Sequence, residues 1–446
     1  MNSMTQLTES NRNHLRELTG VDLKSNLGGP EWLRPIRVEA AQKFADAGFP
    51  TRRDEDWRYT SVAQIIETPF VHAGSTAAGV TTDDIAPYSL TGVPHHELVF
   101  VNGQYSVELS SIGELPSGVR VGTLQNALQT DDQIVRTHLT QYARPDKNPF
   151  VALNTAALED GGFVYVPRGV VVEEPIHFLF VSTQQDNPVV THPRSLIVAE
   201  DNAQATVVES FIGLSGGVYF VNPVTEVVTA AGANVDHYKV QRESLSAYHI
   251  GTMQVEMARS SVFTTHSIGL GGALARTEVN SVLGGEGIEC TINGLYVAKG
   301  HQLIDNHTAI DHAMPHCNSH EVYKGIIDDK GRGVFNGKIL VRQDAQKTDA
   351  KQTNKTLLLS PDAQINTKPE LEIYADDVKC THGATVGQLS DDALFYLRAR
   401  GIGKEQAQAL LTYAFASDIV SRIKVGPIRA QLDKVLLSDR SLEGIA

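Results

Sequence analysis

Hydrophobic and β-branched residues crowd the middle of this chain in short runs, broken every few positions by glycine, aspartate or asparagine. GGFVYVPRGVVVEEPIHFLFVST (161–183), RSLIVAEDNAQATVVESFIG (194–213) and VYFVNPVTEVVTAAGANVDHYKVQ (218–241) are typical. At Ala205–Glu209 and Asn234–Tyr238 the apolar and polar positions alternate with period two, which predicts strands. Residues 150–387 read as an almost unbroken series of short strands. A turn-then-strand unit recurs at Asp201-Asn-Ala203, Ala231-Gly-Ala233, Ala258-Arg-Ser260, Gly285-Glu-Gly287 and Pro361-Asp-Ala363. The early spacings, about 27–30 residues, suit the rungs of a β-solenoid. An antiparallel sandwich would show similar strands, and the pattern alone is compatible with either.

Helical periodicity marks both ends. Between residues 30 and 48, Ile36, Ala40, Ala41, Phe44 and Ala47 fall near one face, and Gly48 supplies a stop. A charged stretch follows, RRDEDWRYTS (52–61). Residues 81–147 are mixed, with a strand and turn at HELVFVNGQYSVEL (96–109) and helices near 123–143. From Ser390 the period becomes helical again. Ser390 is an N-cap followed by Asp391 and Asp392, and this helix ends at Gly401. A second helix runs from Lys404 to about Ile423, with Ala407, Leu410, Leu411, Ala414, Phe415 and Ile419 on one stripe. A third, Ile428–Leu437, follows Gly426-Pro427. The chain thus divides into an N-terminal helical region (1–80), a β core (81–389, with a mixed lead-in to about 149) and a C-terminal helical domain (390–446). Helices at both ends are expected to cover the open edges of a solenoid.

Composition changes this picture little. Charged residues at 20% and apolar residues at 41% are ordinary for a folded soluble chain. A net charge of −14 argues against nucleic acid, whose phosphates require a basic footprint. Cys290, Cys317 and Cys380 form no CxxC pair and no disulfide framework, which predicts a cytoplasmic location. The N-terminus lacks the apolar segment of a secretory signal and carries Glu9 and Glu17, unlike a transit peptide. There is no apolar run long enough to span a membrane.

Candidate chemistry is sparse. Cys380 and His382, if on a strand, point the same way with Cα atoms about 6.6 Å apart. Thiolate and imidazole together suit a soft centre such as zinc, copper or an iron–sulfur species. Two ligands do not hold a structural metal, so further donors must come from elsewhere in the chain or from another chain. A dense block, His301, His307, His312, His316, Cys317 and His320, invites a zinc reading. On a strand, however, adjacent His316 and Cys317 would face opposite ways, and a structural role is expected for the block. Gly337-Lys338 lacks the rest of a phosphate loop, Gly269-Leu-Gly271-Gly272 completes no dinucleotide fingerprint, and no GxSxG occurs. Asp305, Asp311, Asp328 and Asp329 could imitate the carboxylate clusters of β-helical polysaccharide enzymes, although turn aspartates explain them as well. The expectation is a chain that catalyses nothing alone.

Three long segments carry a resemblance: DHAMPHCNSHEVYKGIIDDKGRGVFNGKILV (311–341), QKTDAKQTNKTLLLSPDAQINTKPELEIYADDVKCTHGATVGQL (346–389) and LFYLRARGI (394–402). They closely resemble the SufB/SufD family of iron–sulfur cluster assembly scaffolds. RRDEDWRYTS (52–61) and CTHGATVG (380–387) resemble the SufD branch in particular. The resemblance implies a right-handed parallel β-helix core flanked by helical domains. It implies pairing with a SufB-like scaffold chain and docking of a SufC-like ATPase, so that ATP binds the ATPase and not this chain. Carried over, it places Cys380 and His382 at the scaffold interface as transient, shared ligands of a nascent iron–sulfur cluster. It places ATPase docking on the C-terminal helices at Phe395, Tyr396, Leu397 and Arg398, with Tyr413 and Phe415 on the next helix. Ordinary helix packing is an equal expectation for Leu397 and Phe415. A flavin has been considered for such complexes, and no residue of this sequence assigns one. A homodimer of this chain holding the cluster itself is the alternative within the same class.

Overall fold

The computed structural model describes residues 2–20, 29–73, 79–130, 132–158 and 160–438. Two sheets, of 12 and 10 strands, face each other across a shared interior. From Arg194 onward the chain alternates between them, and successive strands within each sheet pair in parallel. This is a β-solenoid of about 8 turns, which decides against the antiparallel sandwich. In the smaller sheet Asn234 pairs with Val262, Val262 with Glu289, Glu289 with Asn318, Asn318 with Asp349 and Asp349 with Lys379. The partners lie 27 to 31 residues apart, which is the spacing seen in the sequence.

The repeat rests on one corner conformation. Asn202, Gly232, Ser260, Gly287, His316 and Lys347 all adopt positive φ, between 56° and 73°. They stack through backbone hydrogen bonds from each N–H to the next turn, such as Asn202 to Ala231 (2.9 Å) and His316 to Gln346 (2.9 Å). The following residue, Ala203, Ala233, Ser261, Ile288, Cys317 or Thr348, is buried in every case. Only three of the six corner residues are Gly or Asn, the types that enter this region most readily. The repeat therefore looks imperfect when read as letters.

Inward-facing positions fill the solenoid. Phe100, Phe180 and Phe211 are register partners whose rings stack, with centroids 5.0 and 4.8 Å apart. Farther along, Tyr323 lies across Gly294 and Tyr296 across Gly325. Each ring occupies the space that a Cβ on the paired glycine would enter, 2.1 and 2.3 Å away.

The helix Leu33–Ala47 forms where the periodicity predicts it, and Gly48 ends it at φ 71°. Its buried face includes Arg37 and excludes Ala47. The Arg37 guanidinium donates to the carbonyls of Ala156 and Ala157, both at 2.9 Å. Those carbonyls belong to a helix, Pro149–Ala157, inside the span expected to be strand. Asn148 caps it by accepting from the Phe150 N–H (2.8 Å), and Pro149 sits in the first turn, where its missing N–H costs nothing. An earlier helix, Asn2–Thr19, buries Leu15 and Leu18 against the same region. Asn102 and Gly103 form the predicted two-residue turn, both at positive φ, between the antiparallel strands His96–Val101 and Gln104–Ser111.

At the C-terminus the helices are Asp391–Arg398, Lys404–Val420 and Gly426–Ser438. The middle helix buries Ala407, Ala409, Thr412, Ala416, Ile419 and Val420, so the predicted stripe is rotated and Ala414 is exposed. These helices pack against Val208, Tyr238, Val240, Ile268, Leu295 and Ile326 on the outer flank of the smaller sheet. They do not lie across its end. Among the described residues the last strands, Gln364–Ile373 and Lys379–Gly387, each pair on one side only. This corrects the expectation that the terminal helices cover both open edges. No helix among the described residues is long and apolar enough to cross a membrane.

Candidate functional site

Cys380 and His382 lie on the final strand of the smaller sheet, Lys379–Gly387, at the end of the solenoid. Cys380 registers with Ala350, and the column continues through Ser319 and Cys290, all buried. His382 registers with Gln352 and then Glu321, also buried. Both side chains therefore occupy inward-facing columns of a solenoid that, among the described residues, has no further turn above them. Cys380 is half-buried beside Leu371 and Val378, while His382, Ala384 and Val386 are exposed. In this family of columns such positions are core everywhere else. Here they form an unfinished core.

Burial pushes the Cys380 thiol above its ordinary range. A backbone hydrogen bond to Ala350 offsets part of the rise, and the Asp349 carboxylate adds to it. A cation brought to the sulfur reverses this balance and favours thiolate. One column over, the Gln352 side-chain amide donates to Glu321 at 2.7 Å, and burial raises the Glu321 carboxyl to about 7. This column was legible in principle, since counting back one solenoid period from His382 reaches Gln352 and then Glu321. Neither Gln352 nor Glu321 carries a local motif that marks the column.

The other candidates do not converge. Cys317 follows the corner residue His316 into the interior, where its thiol donates to the Gly285 carbonyl at 3.2 Å. Cys290 is buried and its thiol is pushed up to about 12. His301, His316 and His320 are exposed, His312 is buried against the Ser319 hydroxyl (2.9 Å), and His307 pairs with Asp305 (3.0 Å). Asp305 is buried with Arg276 (2.7 Å), Asp311 binds Arg342 (2.6 Å), and Asp328 and Asp329 lie at a corner. Among the described residues no three His, Cys, Asp or Glu side chains are grouped to hold a metal.

The charged motif at 52–61 clamps the N-terminal region to the solenoid. The Trp57 ring lies 3.8 Å from the Arg276 guanidinium, the Asp56 carbonyl accepts from Arg276 (2.7 Å), and the Thr60 hydroxyl donates to Asp305 (2.5 Å).

On the C-terminal helices, Phe395 and Tyr396 are 74% and 56% exposed, and Arg398 is also exposed. Leu397 is half-buried. Tyr413 donates its hydroxyl to Asp433 on the last helix (2.9 Å). Phe415 packs on the sheet, with the Lys324 ammonium over its ring at 4.7 Å and bonded to its carbonyl at 2.9 Å. Phe395 and Tyr396 project from the surface, with the Arg400 guanidinium over the Tyr396 ring at 3.4 Å, whereas Tyr413 and Phe415 hold the helices in place.

Comparison with known proteins defines the class. Residues 180–415 match the SufBD core domain of the SUF system for FeS cluster assembly, and residues 26–178 match the SufBD protein N-terminal region. The chain belongs to the SufBD family of iron–sulfur cluster assembly proteins. It is 35% identical to an iron–sulfur cluster assembly SufBD family protein of Synechocystis over 89% of this chain and 88% of that one. It is 33% identical to the iron–sulfur cluster assembly protein SufD of Escherichia coli (89% and 91%) and 27% identical to that of Bacillus subtilis (91% and 94%).

Proposed function

We propose that this chain is a non-enzymatic, SufD-like component of a SUF assembly complex that acts through the open end of its solenoid. The observation that carries this reading is the unfinished last turn. Cys380 and His382 face inward, and among the described residues the strand that bears them has one unpaired edge. A SufB-like chain would supply the next strand and the missing donors, because a complete thiolate-ligated cluster takes about four cysteines. The nascent cluster is cargo, held in passing by Cys380 and His382 and by the partner. A SufC-like ATPase would dock on Phe395, Tyr396 and Arg398, with Leu397, Tyr413 and Phe415 shaping the helices beneath. Phosphate chemistry and ATP then belong to that subunit.

The same geometry offers a route for coupling. The helix Lys404–Val420 is tied to the strand Asn318–Ile327 through Lys324, which bonds the Phe415 carbonyl and Asp418, both at 2.9 Å. That strand is two positions from the one carrying Cys380. ATP-driven movement of the helices would shift the open end, which is a two-state claim. Cross-linking the helices to the sheet should stop cluster formation; normal formation in the locked protein would refute the coupling.

The principal test is co-expression with SufB-like and SufC-like chains and anaerobic purification, comparing wild type with Cys380→Ala. The expected result is an intact complex that loses iron and sulfide in the variant. Undiminished cluster content would reduce this chain to a structural and docking subunit.

A further inference from the structure

The acidic and basic residues of 52–61 are sorted unevenly. Asp54 accepts from the N–H and hydroxyl of Thr51 (2.6 and 3.0 Å), and Glu55 pairs with Lys368 (2.6 Å). Among the described residues Arg52 meets no acid. Its Nε donates to the Arg58 carbonyl at 3.1 Å, and the residue lines a cavity of about 470 Å³ between the N-terminal segment and one corner of the solenoid. The floor is Ala273, Leu274 and Leu303. Leu274, Leu303 and Arg332 are register partners on three successive turns, so Arg332 stands directly beyond Leu303. His301 and Lys330 come from the corners that precede these strands, and Tyr59, Ser61 and Gln64 complete the lining.

One cavity thus gathers two guanidinium groups, an ammonium and an imidazole, with no carboxylate in its lining, on a chain of net charge −14. Arg52, Lys330 and Arg332 are exposed, and among the described residues none of them makes an ion pair. Like charges sharing a cavity repel, and one anion between them converts each repulsion to attraction. Guanidinium forks match phosphate oxygens in pairs. The size falls within the roughly 300–1,000 Å³ of small-molecule sites, and the leucine floor with the Tyr59 ring can receive an apolar portion.

We propose that this cavity binds a phosphate-bearing small molecule, with Arg52, Lys330 and Arg332 holding the phosphate. The site shares no residue with the open end of the solenoid, so its fate is independent of the assembly reading. The test is calorimetric titration of the full-length chain at low ionic strength with inorganic pyrophosphate and with AMP. Saturable binding is expected, falling at least tenfold in Arg52→Gln and in Arg332→Gln and falling steeply with added salt. Both variants should keep the wild-type circular dichroism spectrum, and Arg120→Gln, at a distant exposed site, should keep wild-type affinity. Tighter binding of AMP that Tyr59→Ala abolishes would identify an organic phosphate, and equal or better binding of pyrophosphate would identify the free anion. The absence of saturable binding of either probe up to about 10 mM, a limit corresponding to very weak affinity, would overturn the proposal. So would affinity unchanged in both arginine variants, which would leave a solvated basic rim only.

Discussion

At the scale of single residues, buried ions that constrain each other hold the N-terminal segment to the outer face of the larger sheet. Arg276 is surrounded by Asp305 (2.7 Å), Glu278 (2.6 Å), the Asp56 carbonyl and the Trp57 ring. Burial alone would raise the Asp305 carboxyl, but His307 and Arg276 hold it well below its usual range. Removing Arg276 strands a charge: Arg276→Met should cost about 3–5 kcal/mol in urea unfolding, the range for breaking a buried pair, and Arg276→Met with Asp305→Asn should recover part of it. Equal losses in the single and double variants would show that the pair is not coupled. Glu321 has the opposite sign. Burial pushes its carboxyl up to about 7 in the folded chain against an ordinary 4.5, so its contribution is full below about 4.5 and is lost as pH rises to about 7. That loss is roughly 3 kcal/mol. Glu321→Gln should therefore gain stability relative to wild type between pH 5 and pH 7.5; parallel pH profiles would contradict the assignment. Arg276 and Asp305 are register partners one solenoid period apart, so their pairing was legible in principle; that of Trp57 was not, because no local pattern says where the N-terminal segment lands on the solenoid.

At the scale of elements, the strands and their period were readable, and their closure was not. Period-two alternation located the strands, and the 27–30 residue spacing matched the climb of one turn. What distinguishes solenoid from sandwich is the stack of left-handed corners, and Ser260, His316 and Lys347 occupy it with residue types that do not advertise positive φ. The same corner settles the His316-Cys317 pair: one residue points out and the next points in, as a strand would also have required. The helix Pro149–Ala157 was missed because it is buried on nearly all sides, so its apolar run lacks an amphipathic period and resembles a core strand. The Asn148-Pro149 start was the available signal. Inside the last turns, Gly294 and Gly325 exist to admit Tyr323 and Tyr296. Gly294→Ala should destabilise by about 1–3 kcal/mol through overpacking, read as a lower urea midpoint, and shortening the ring with Tyr323→Leu in the same chain should restore much of it. A neutral Gly294→Ala would mean that the Tyr323 ring has room to move aside.

At the scale of the whole molecule, the open C-terminal end of the solenoid is the main consequence of the fold. The helices that follow the last turn are spent on the flank of the sheet, fixed there by Lys324, by Arg422 on Asn293 (3.1 Å) and by Lys424 on Asp236 (2.8 Å). The final strand keeps Cys380, His382, Ala384 and Val386 on the side where earlier turns keep their core. Exposed strand edges invite pairing with another chain. That Cys380 and His382 share a face was legible from their spacing; that this face is the unfinished interior required the turn count, which no local pattern supplies. If the open end is where a scaffold partner adds its strands, backbone amides of 379–387 should exchange with deuterium quickly in the isolated chain and slowly in the complex, since local protection follows the pairing of the edge. Amides of the inner strand Asn318–Ile327, paired on both sides already, should change little. Replacing Val386 with Lys places a charge in the new core and should weaken the complex at least tenfold, with the isolated chain unaffected because Val386 is 46% exposed there. Equal exchange of 379–387 in both states, together with full-strength assembly of the Val386→Lys chain, would place the partner elsewhere on the molecule.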